Sequence, residues 1–310
     1  MKYFHLVPKD TNINFIGKFP IFISFSVITL IVVVAAINIK GLHYGIDFKG
    51  GTVLQVKFHQ KQDPESVRKI MTELGDNEAS VVGIGGGGDE YLITTRTALE
   101  KGTQSLKDRL VEKVGNDHLT VMSADVVGPK VGEELRGAAL RSLFYSVILI
   151  TIYIWLRFDA RFAPGATIAM VHDIIMCTAF YLVTGREFTI TAVAALLTIA
   201  GYSVNDTIVV YDRVREMIRH KAGGKNLAET INKAINLTLS RTVLTSFVTF
   251  ISVLPLAILC KGEIQSFAIA MCFGIFVGTY STVYIATPFT IYVEKFMESR
   301  NPKKVKVRTA

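Results

Sequence analysis

The sequence predicts a polytopic α-helical membrane protein, with six transmembrane helices and one α+β ferredoxin-like extracytoplasmic domain between helices 1 and 2. Three observations predict this fold class. Half of the 310 residues are apolar and the mean hydropathy is +0.39, whereas a soluble domain needs a mostly polar surface. Six apolar stretches are long enough to cross a bilayer. The polar stretch between the first two alternates between strand and helix patterns.

The six spans are predicted from the length of each apolar stretch, because about 20 residues are needed to cross the ~30 Å hydrocarbon layer. They cover residues 19–40, 137–156, 162–183, 190–210, 242–259 and 267–293. The first stretch is too long for the core of a signal peptide. No small-residue cleavage site precedes Lys40, so we expect this span to be retained.

Lysine and arginine residues are concentrated in alternate connections, and this asymmetry predicts the orientation. They are frequent in the N-terminal segment 1–18, the amphipathic loop 211–241 and the basic tail 294–310. The short loops on the opposite side hold only Arg186 and Lys261. Both termini are therefore expected in the cytoplasm. The net charge of +8 lies beside apolar spans, which favours contact with membrane lipid and argues against a nucleic-acid partner.

Residues 41–136 are predicted to fold outside the cytoplasm as a β-α-β-β-α-β unit. Alternating and apolar patterns predict four strands, at 52–58, 79–84, 91–95 and 119–127. One helix is expected to begin at Asp63-Pro64-Glu65, where proline is tolerated in the first turn. A second helix is expected around Leu106 and Val114. This order is typical of the ferredoxin-like unit, in which both helices cover one face of the sheet.

The residue types indicate no catalytic, cofactor or metal site. The glycine run 85–88 is not followed by the Gly-Lys-Ser/Thr of a phosphate loop, so we expect a hairpin loop there. Cys177, Cys260 and Cys272 lie in or beside apolar stretches without CxxC spacing. A disulfide framework or a cysteine metal site is therefore not predicted. We expect no enzyme activity and no cofactor.

Two charged residues lie in or beside the predicted spans four and five. Asp206 falls in the cytoplasmic third of span four, and Arg241 opens span five from the same side. These antiparallel spans place the two at similar depth, so we expect them to pair. A charge within a membrane is costly and usually has a function or a partner. One interpretation is a proton site that the arginine controls; the alternative is a static ion pair between helices.

A second polar group lies near the middle of span three, at His172 and Asp173. Asn205 in span four and Thr245 in span five are further polar residues at membrane depth. Two interpretations stay open for these four residues. They form part of a proton path, or they make polar contacts between helices.

Several motifs together resemble the SecF family, within the resistance-nodulation-division transporter superfamily. They are Gly45-Ile46-Asp47-Phe48-Lys49-Gly50-Gly51-Thr52, Val127-Gly128-Pro129-Lys130-Val131-Gly132, Trp155-Leu156-Arg157-Phe158, His172-Asp173, the stretch 202–216 beginning Tyr202-Ser203-Val204-Asn205-Asp206, and Ser240-Arg241-Thr242-Val243-Leu244-Thr245-Ser246. The motifs occur in order and at matching topological positions, so the resemblance covers nearly the whole chain.

The resemblance implies a function in protein export across the bacterial cytoplasmic (inner) membrane. With SecD, the family uses the proton-motive force to promote late, ATP-independent translocation of preproteins through the SecY–SecE–SecG channel. YajC and YidC are further candidate partners. By motif, Asp206 and Arg241 are the proton-coupling pair. The junctions between the outer domain and the membrane, where hinges are expected, contain Gly45, Asp47, Gly50, Gly51, Gly128 and Gly132.

Three other functions are alternatives to this one. The first is another ion-driven exporter of the same superfamily, and the second is a non-conducting scaffold subunit whose charges are structural. The third, an intramembrane protease using Asp173 and Asp206, is disfavoured because neither aspartate lies in a Gly-x-Gly-Asp setting. The identity of the coupling ion also stays open, since sodium uses carboxylates similar to those that carry protons.

Overall fold

The computed structural model describes residues 11–77, 79–84, 87–95, 106–220, 222–224 and 226–300. The elements, in chain order, are α1 (Phe19–Lys40), α2 (Ile46–Lys49), β1 (Gly51–Phe58), α3 (Pro64–Glu73), β2 (Ser80–Gly83), β3 (Glu90–Thr95), α4 (Leu106–Val114), β4 (Leu119–Val127), α5 (Pro129–Arg157), α6 (Ala163–Thr184), α7 (Ile190–Arg219), α8 (Leu227–Leu259), α9 (Gly262–Ser281) and α10 (Thr287–Arg300). A π-helical turn, Thr282–Ala286, joins α9 to α10.

The outer domain has the predicted ferredoxin-like topology. Its four strands lie in the order β2-β3-β1-β4, and each neighbouring pair is antiparallel. Leu54, Val56 and Phe58 alternate along β1 and are buried with Val67 of α3 and Leu110 of α4. Because alternate strand residues point to the same face, this packing places both helices on one side of the sheet. The glycine run partly falls outside the described residues, which resume at Gly87 between β2 and β3.

Six helical stretches within the described residues are long and apolar enough to cross a membrane, as predicted. They are Ile16–Lys40, Pro129–Arg157, Ala163–Thr184, Ile190–Arg219, Leu227–Leu259 and Gly262–Arg300. Several of them extend beyond the predicted spans, because hydropathy marks only the apolar part of a helix. Polar residues continue the helix on either side wherever a cap or a good helix former permits it.

The connection predicted at 211–241 is for the most part helical. α7 continues to Arg219, and α8 already begins at Leu227, where the Asn226 side chain accepts a hydrogen bond from the Glu229 N–H at 2.9 Å. This N-cap satisfies a backbone group that would otherwise be left open at the helix start. The last span differs too, because the π-helical turn interrupts it at Thr282.

The helices divide into a buried centre and an exposed periphery. Side chains of α6, α7 and the last span are buried far more often than those of α1, α5 and α8. Small residues allow the central helices to approach closely. A Cβ atom added to Gly278 of α9 would lie 3.0 Å from Cβ of Ser203 in α7. The peripheral faces carry large apolar side chains, such as Phe144 and Leu149 of α5, which suit contact with lipid.

The connections lie at two opposite ends of the bundle. At the end that carries the outer domain, the Gly45 N–H donates to the Phe188 carbonyl at 3.0 Å. At the other end, the Ile13 N–H donates to Oδ1 of Asn236 in α8 at 2.8 Å. The segment before α1 therefore packs on the end of α8 farthest from the outer domain.

Candidate functional site

Asp206 is a buried carboxylate on α7, one of the more enclosed helices of the bundle. It is 2% exposed, and its Oδ2 atom has no hydrogen-bond partner. Its neighbours Ser203, Val204 and Thr207 are buried as well. An ionised carboxylate without partners is strongly disfavoured in such surroundings. Asp206, which the sequence predicts as a proton-coupling residue, therefore lies where a charge is unfavourable, and its coupling role stays a prediction.

Arg241 does not form the expected ion pair with Asp206. No nitrogen of Arg241 lies within 4.0 Å of an Asp206 carboxylate oxygen, although the arginine charge is close enough to interact electrostatically with Asp206. Arg241 is exposed at the surface of α8. A guanidinium at this position keeps its hydration by extending outward, and burying it beside one carboxylate would cost that hydration. The predicted direct pairing is thus wrong in this conformation.

Thr245 makes no hydrogen bond to Asp206. Its hydroxyl donates within α8 to the Arg241 carbonyl at 3.0 Å and to the Thr242 carbonyl at 2.9 Å. Asn205 is also separate, because it is exposed on α7 whereas Asp206 is buried. Adjacent helix residues point about 100° apart, which explains the difference.

Asp173 is the centre of a hydrogen-bonded group that joins three helices. It is 0% exposed. Its Oδ1 lies 3.0 Å from Nδ1 of His172, and its Oδ2 accepts hydrogen bonds from Ser203 at 2.5 Å and Ser281 at 2.7 Å. We call Asp173, Ser203 and Ser281 the three-helix junction, since they belong to α6, α7 and α9. The predicted polar contact between helices is therefore present, while the proton path stays a prediction.

Hydroxyl contacts continue from the three-helix junction along α7 and the last span. Thr207 lies 2.9 Å from Thr282, hydroxyl to hydroxyl, and the Tyr211 hydroxyl lies 2.8 Å from that of Thr290. Thr282 is also the first residue of the π-helical turn. Such turns are rare in proteins as a whole, and those that occur are often found at functional sites. The structure thus adds a buried polar seam between α7 and the last span, and on α7 this seam includes Thr207, the residue next to Asp206.

Sequence reasoning missed the half of this seam that lies on the last span. Ser281 and Thr282 received no role because serine and threonine are common in membrane helices. The available signal was the recurrence of hydroxyl residues in span six at positions 279, 281, 282, 287 and 290. Ser203 and Thr207 lay within a quoted motif, but without an assigned role.

The junction motifs converge where the outer domain meets the bundle. Oδ2 of Asp47 accepts a hydrogen bond from the Ile190 N–H at 2.9 Å, and so ties α2 to the start of α7. Gly50 has φ 75° and ends α2, a conformation that side chains rarely adopt. A Cβ on Gly132 would lie 3.0 Å from the Gly50 nitrogen. These glycines therefore permit close packing, with Gly51 (φ 139°) following and Gly128 capping α5.

Within the described ranges, no three His, Cys, Asp or Glu side chains converge as the ligands of a metal ion would. The buried ionisable groups described above are Asp206, whose Oδ2 has no hydrogen-bond partner, and the His172–Asp173 pair, which contacts two serine hydroxyls. These groups can accept or donate protons, and their contacts hold helices together.

Family comparisons agree with this architecture. Residues 107–296 match the model described as "Protein export membrane protein SecD/SecF, C-terminal", and residues 35–62 match the "SecD/SecF GG Motif". The six-helix bundle, the outer domain and the glycine junction thus define a protein-export membrane protein of the SecD/SecF class. Within that class, the chain belongs to the SecF family of protein translocase subunits.

Relatives that match over nearly their whole length support the assignment to the SecF family. The chain is 40% identical to the protein translocase subunit SecF of Calditerrivibrio nitroreducens over 304 residues, which cover 96% of this chain and 99% of that protein. It is 38% identical to SecF of Magnetococcus marinus over 310 residues, with 97% of each chain covered. Together with the six apolar helices, these similarities support a multi-pass inner-membrane protein.

Solved structures show the same fold. The crystal structure of SecDF, a translocon-associated membrane protein from Thermus thermophilus, superposes with a TM-score of 0.83 at 33% identity, and the match covers 94% of this chain. A SecDF structure in a super-membrane-facing form gives a TM-score of 0.69 at 33% identity. In both cases this chain spans 40% of the SecDF chain.

Proposed function

We propose that this SecF-family chain works with SecD to convert the proton-motive force into late, ATP-independent movement of preproteins through the SecY–SecE–SecG channel. The observation that carries the proposal is Asp206. Its Oδ2 atom is buried within the bundle, on α7, and has no hydrogen-bond partner. A group kept under such unfavourable conditions inside a membrane is a default candidate for ion coupling.

The chemistry of coupling follows from two opposing effects on a carboxyl group. Desolvation favours the neutral acid, and a nearby cation favours the carboxylate. Arg241 interacts electrostatically with Asp206 without forming an ion pair. Movement of α8 relative to α7 therefore changes the balance between the two protonation states, and binding of a proton changes the packing in return.

The exposed face of α7 supports SecD as the direct partner. Four small or polar residues recur along this face: Ala194, Thr198, Gly201 and Asn205. Within the described part of this chain they are exposed. Membrane helices associate closely through such residues, which hydrogen-bond across the interface and let backbones approach. Asn205 in this interface would place a SecD helix at the depth of Asp206, on the neighbouring face of α7.

Movement at Asp206 can reach the outer domain through the N-terminal end of α7. The first backbone N–H of α7, at Ile190, is held by Asp47 of the junction. Gly50 and Gly132 pack in contact there, and this junction is the hinge that we propose. A shift of α7 along its axis would then change the position of β1, which begins at Gly51.

The remaining parts of the proposal concern orientation and partners. Both chain termini are assigned to the cytoplasm because lysine and arginine are frequent at the end of the bundle opposite the outer domain. Docking to SecY–SecE–SecG, and to YajC and YidC, rests on the family alone. The long helical extensions of α7 and α8 on the cytoplasmic side are the surfaces that we assign to contacts with partners or anionic lipid.

Export into sealed vesicles tests this function. Completion of preprotein export is measured with and without a proton gradient, in vesicles that contain the SecY–SecE–SecG channel, SecD and this chain as wild type or Asp206→Asn. Asp212→Asn is the matched control, because it changes an exposed aspartate on the same helix. We expect the gradient to accelerate export in wild type and Asp212→Asn, but not in Asp206→Asn. Equal acceleration in all three would refute coupling through Asp206, and acceleration by a sodium gradient alone would reassign the ion.

One observation favours the scaffold function as the second candidate. Both Asp173 oxygens have partners, so the three-helix junction is explained by helix packing without any ion movement. A scaffold would retain full export in charge-neutralised variants. It would still need SecD to be bound, which copurification of SecD with Asp206→Asn measures.

A further inference from the structure

The tip of the α8–α9 hairpin touches the outer domain through one lysine. Only Cys260 and Lys261 separate the two helices. Nζ of Lys261 donates to Oε2 of Glu90 at 3.2 Å and to the Ile84 carbonyl at 3.3 Å. Both acceptors lie where β2 and β3 meet, far from the junction of α2 with α5. This contact is therefore a second, noncovalent link between the outer domain and the membrane helices.

Glu90 has a second lysine partner, which belongs to the outer domain itself. Its Oε1 accepts a hydrogen bond from Nζ of Lys57 at 3.1 Å, and the two residues face each other in the β1–β3 register. Hydrogen bonds from Lys57 and then Lys261 keep the pKa of Glu90 below its ordinary value. The carboxylate thus stays charged at neutral pH. Lys57 also lies 3.5 Å from Asp89, so its own charge is already shared.

The position of Lys261 depends on the helices that carry the polar groups of the bundle. α8 runs unbroken from Leu227 to Leu259 and contains Arg241. At about 1.5 Å per residue, Arg241 and Leu259 lie about 27 Å apart along the axis. α9 packs along α8 and ends at Ser281, which donates to Asp173. A displacement of the hairpin at the depth of Asp206 is therefore carried to Lys261 at its tip.

We propose that Lys261 and Glu90 form an electrostatic latch, through which the α8–α9 hairpin controls the position of the outer domain. This inference rests on the proposed function and adds a second connection to the one through Asp47. The latch holds in the conformation described here and opens when the hairpin moves relative to α7. An exposed ion pair contributes little. Such a weak contact suits a link that must open and close in each cycle.

Matched variants separate the effect of the Lys261 charge on export from the effect of outer-domain stability. Lys261→Gln removes the latch, Lys261→Arg keeps the charge, and Lys57→Gln removes the other lysine at Glu90 but leaves the latch. In vesicles with SecD, we expect Lys261→Gln to lower gradient-stimulated export about two- to fivefold, as loss of one exposed ion pair implies. Lys261→Arg and Lys57→Gln keep at least most of the stimulation. Gradient-independent export stays unchanged in all three.

Two outcomes of the export assay overturn the latch. The first is gradient-stimulated export in Lys261→Gln that is as high as in wild type. The second is an equal loss of gradient-stimulated export in Lys261→Gln and Lys57→Gln, which would show that only the stability of the outer domain matters. A carbodiimide joins a lysine amine to a carboxylate in direct contact, and this gives an independent readout in the same complex. We expect a crosslinked peptide joining Lys261 to Glu90, with a yield that differs about two- to fivefold between wild type and Asp206→Asn.

The crosslink separates failure of the latch from failure of the proposed function. If wild type shows no gradient stimulation but the crosslink yield still responds to Asp206→Asn, the latch stands and proton-driven export falls. If the crosslink is absent, or its yield is the same in both proteins, the latch is refuted whatever export shows.

Discussion

Replacing Asp173 with Asn tests whether the three-helix junction is held by a charged acceptor. The amide keeps the size of the side chain but replaces one acceptor oxygen with a donor. Oδ2 accepts from both Ser203 and Ser281; the amide oxygen can take the same position, but it is a neutral acceptor, and the amide nitrogen then lies beside His172. Hydrogen bonds to a charged group contribute about 1.5–3 kcal/mol, against about 0.6 kcal/mol for an average polar contact between membrane helices. We therefore expect Asp173→Asn to destabilise the bundle by about 2 kcal/mol.

Equilibrium unfolding in mixed micelles measures this loss. The matched control is Thr151→Val, which removes a neutral contact of 3.0 Å between the hydroxyls of Thr151 and Thr167, on α5 and α6. The control is expected to lose about 0.6 kcal/mol. If Asp173→Asn lowers the free energy of unfolding by no more than Thr151→Val does, Asp173 is not a charged acceptor and the reasoning about the three-helix junction is wrong.

Three further predictions concern the contact of α5 with α2 at Gly132, the outer domain, and the segment before α1. Gly132→Val should raise the protease sensitivity of the outer domain, because its Cβ would lie 3.1 Å from the Phe48 carbonyl carbon; unchanged digestion would contradict the close packing. The lowered pKa of Glu90 gives stability that is present above pH 4.5, its unfolded value, and is lost as the pH falls through the lower folded value. Denaturation of wild type should thus approach that of Glu90→Gln only below pH 4.5, and coincidence at pH 7 would refute the effect. Asn236→Ala removes the acceptor of the Ile13 N–H and should speed hydrogen exchange at Ile13, whereas equal exchange rates would rule out this contact.

The outer domain was predictable from sequence because its signals are local. Alternation in β1 and the proline at the start of α3 each act within a few residues, and the four strands appear where the pattern placed them. The short helix α2 was not predicted, since four residues between glycines carry too little periodicity. The same is true of the π-helical turn at Thr282, which interrupts an otherwise regular apolar helix.

The arrangement of charges was only partly predictable. Counting residues along a span gives the depth of Asp206 and Arg241, but not the direction in which each side chain points. That direction is set by how α7 and α8 pack, and the packing turns Arg241 to the surface. For the same reason Ser281 was overlooked, because its role depends on which face of α9 meets Asp173.

Proton movement during export is the most direct test of the central claim that Asp206 couples an ion gradient to transport. Vesicles containing SecD, the channel and this chain, with a pH-sensitive dye inside, report proton flux as a preprotein crosses. We expect flux with wild type and with the exposed-site control Asp212→Asn, and none above background with Asp206→Asn. Unchanged proton flux in Asp206→Asn would contradict the account and leave Asp206 with a structural role only.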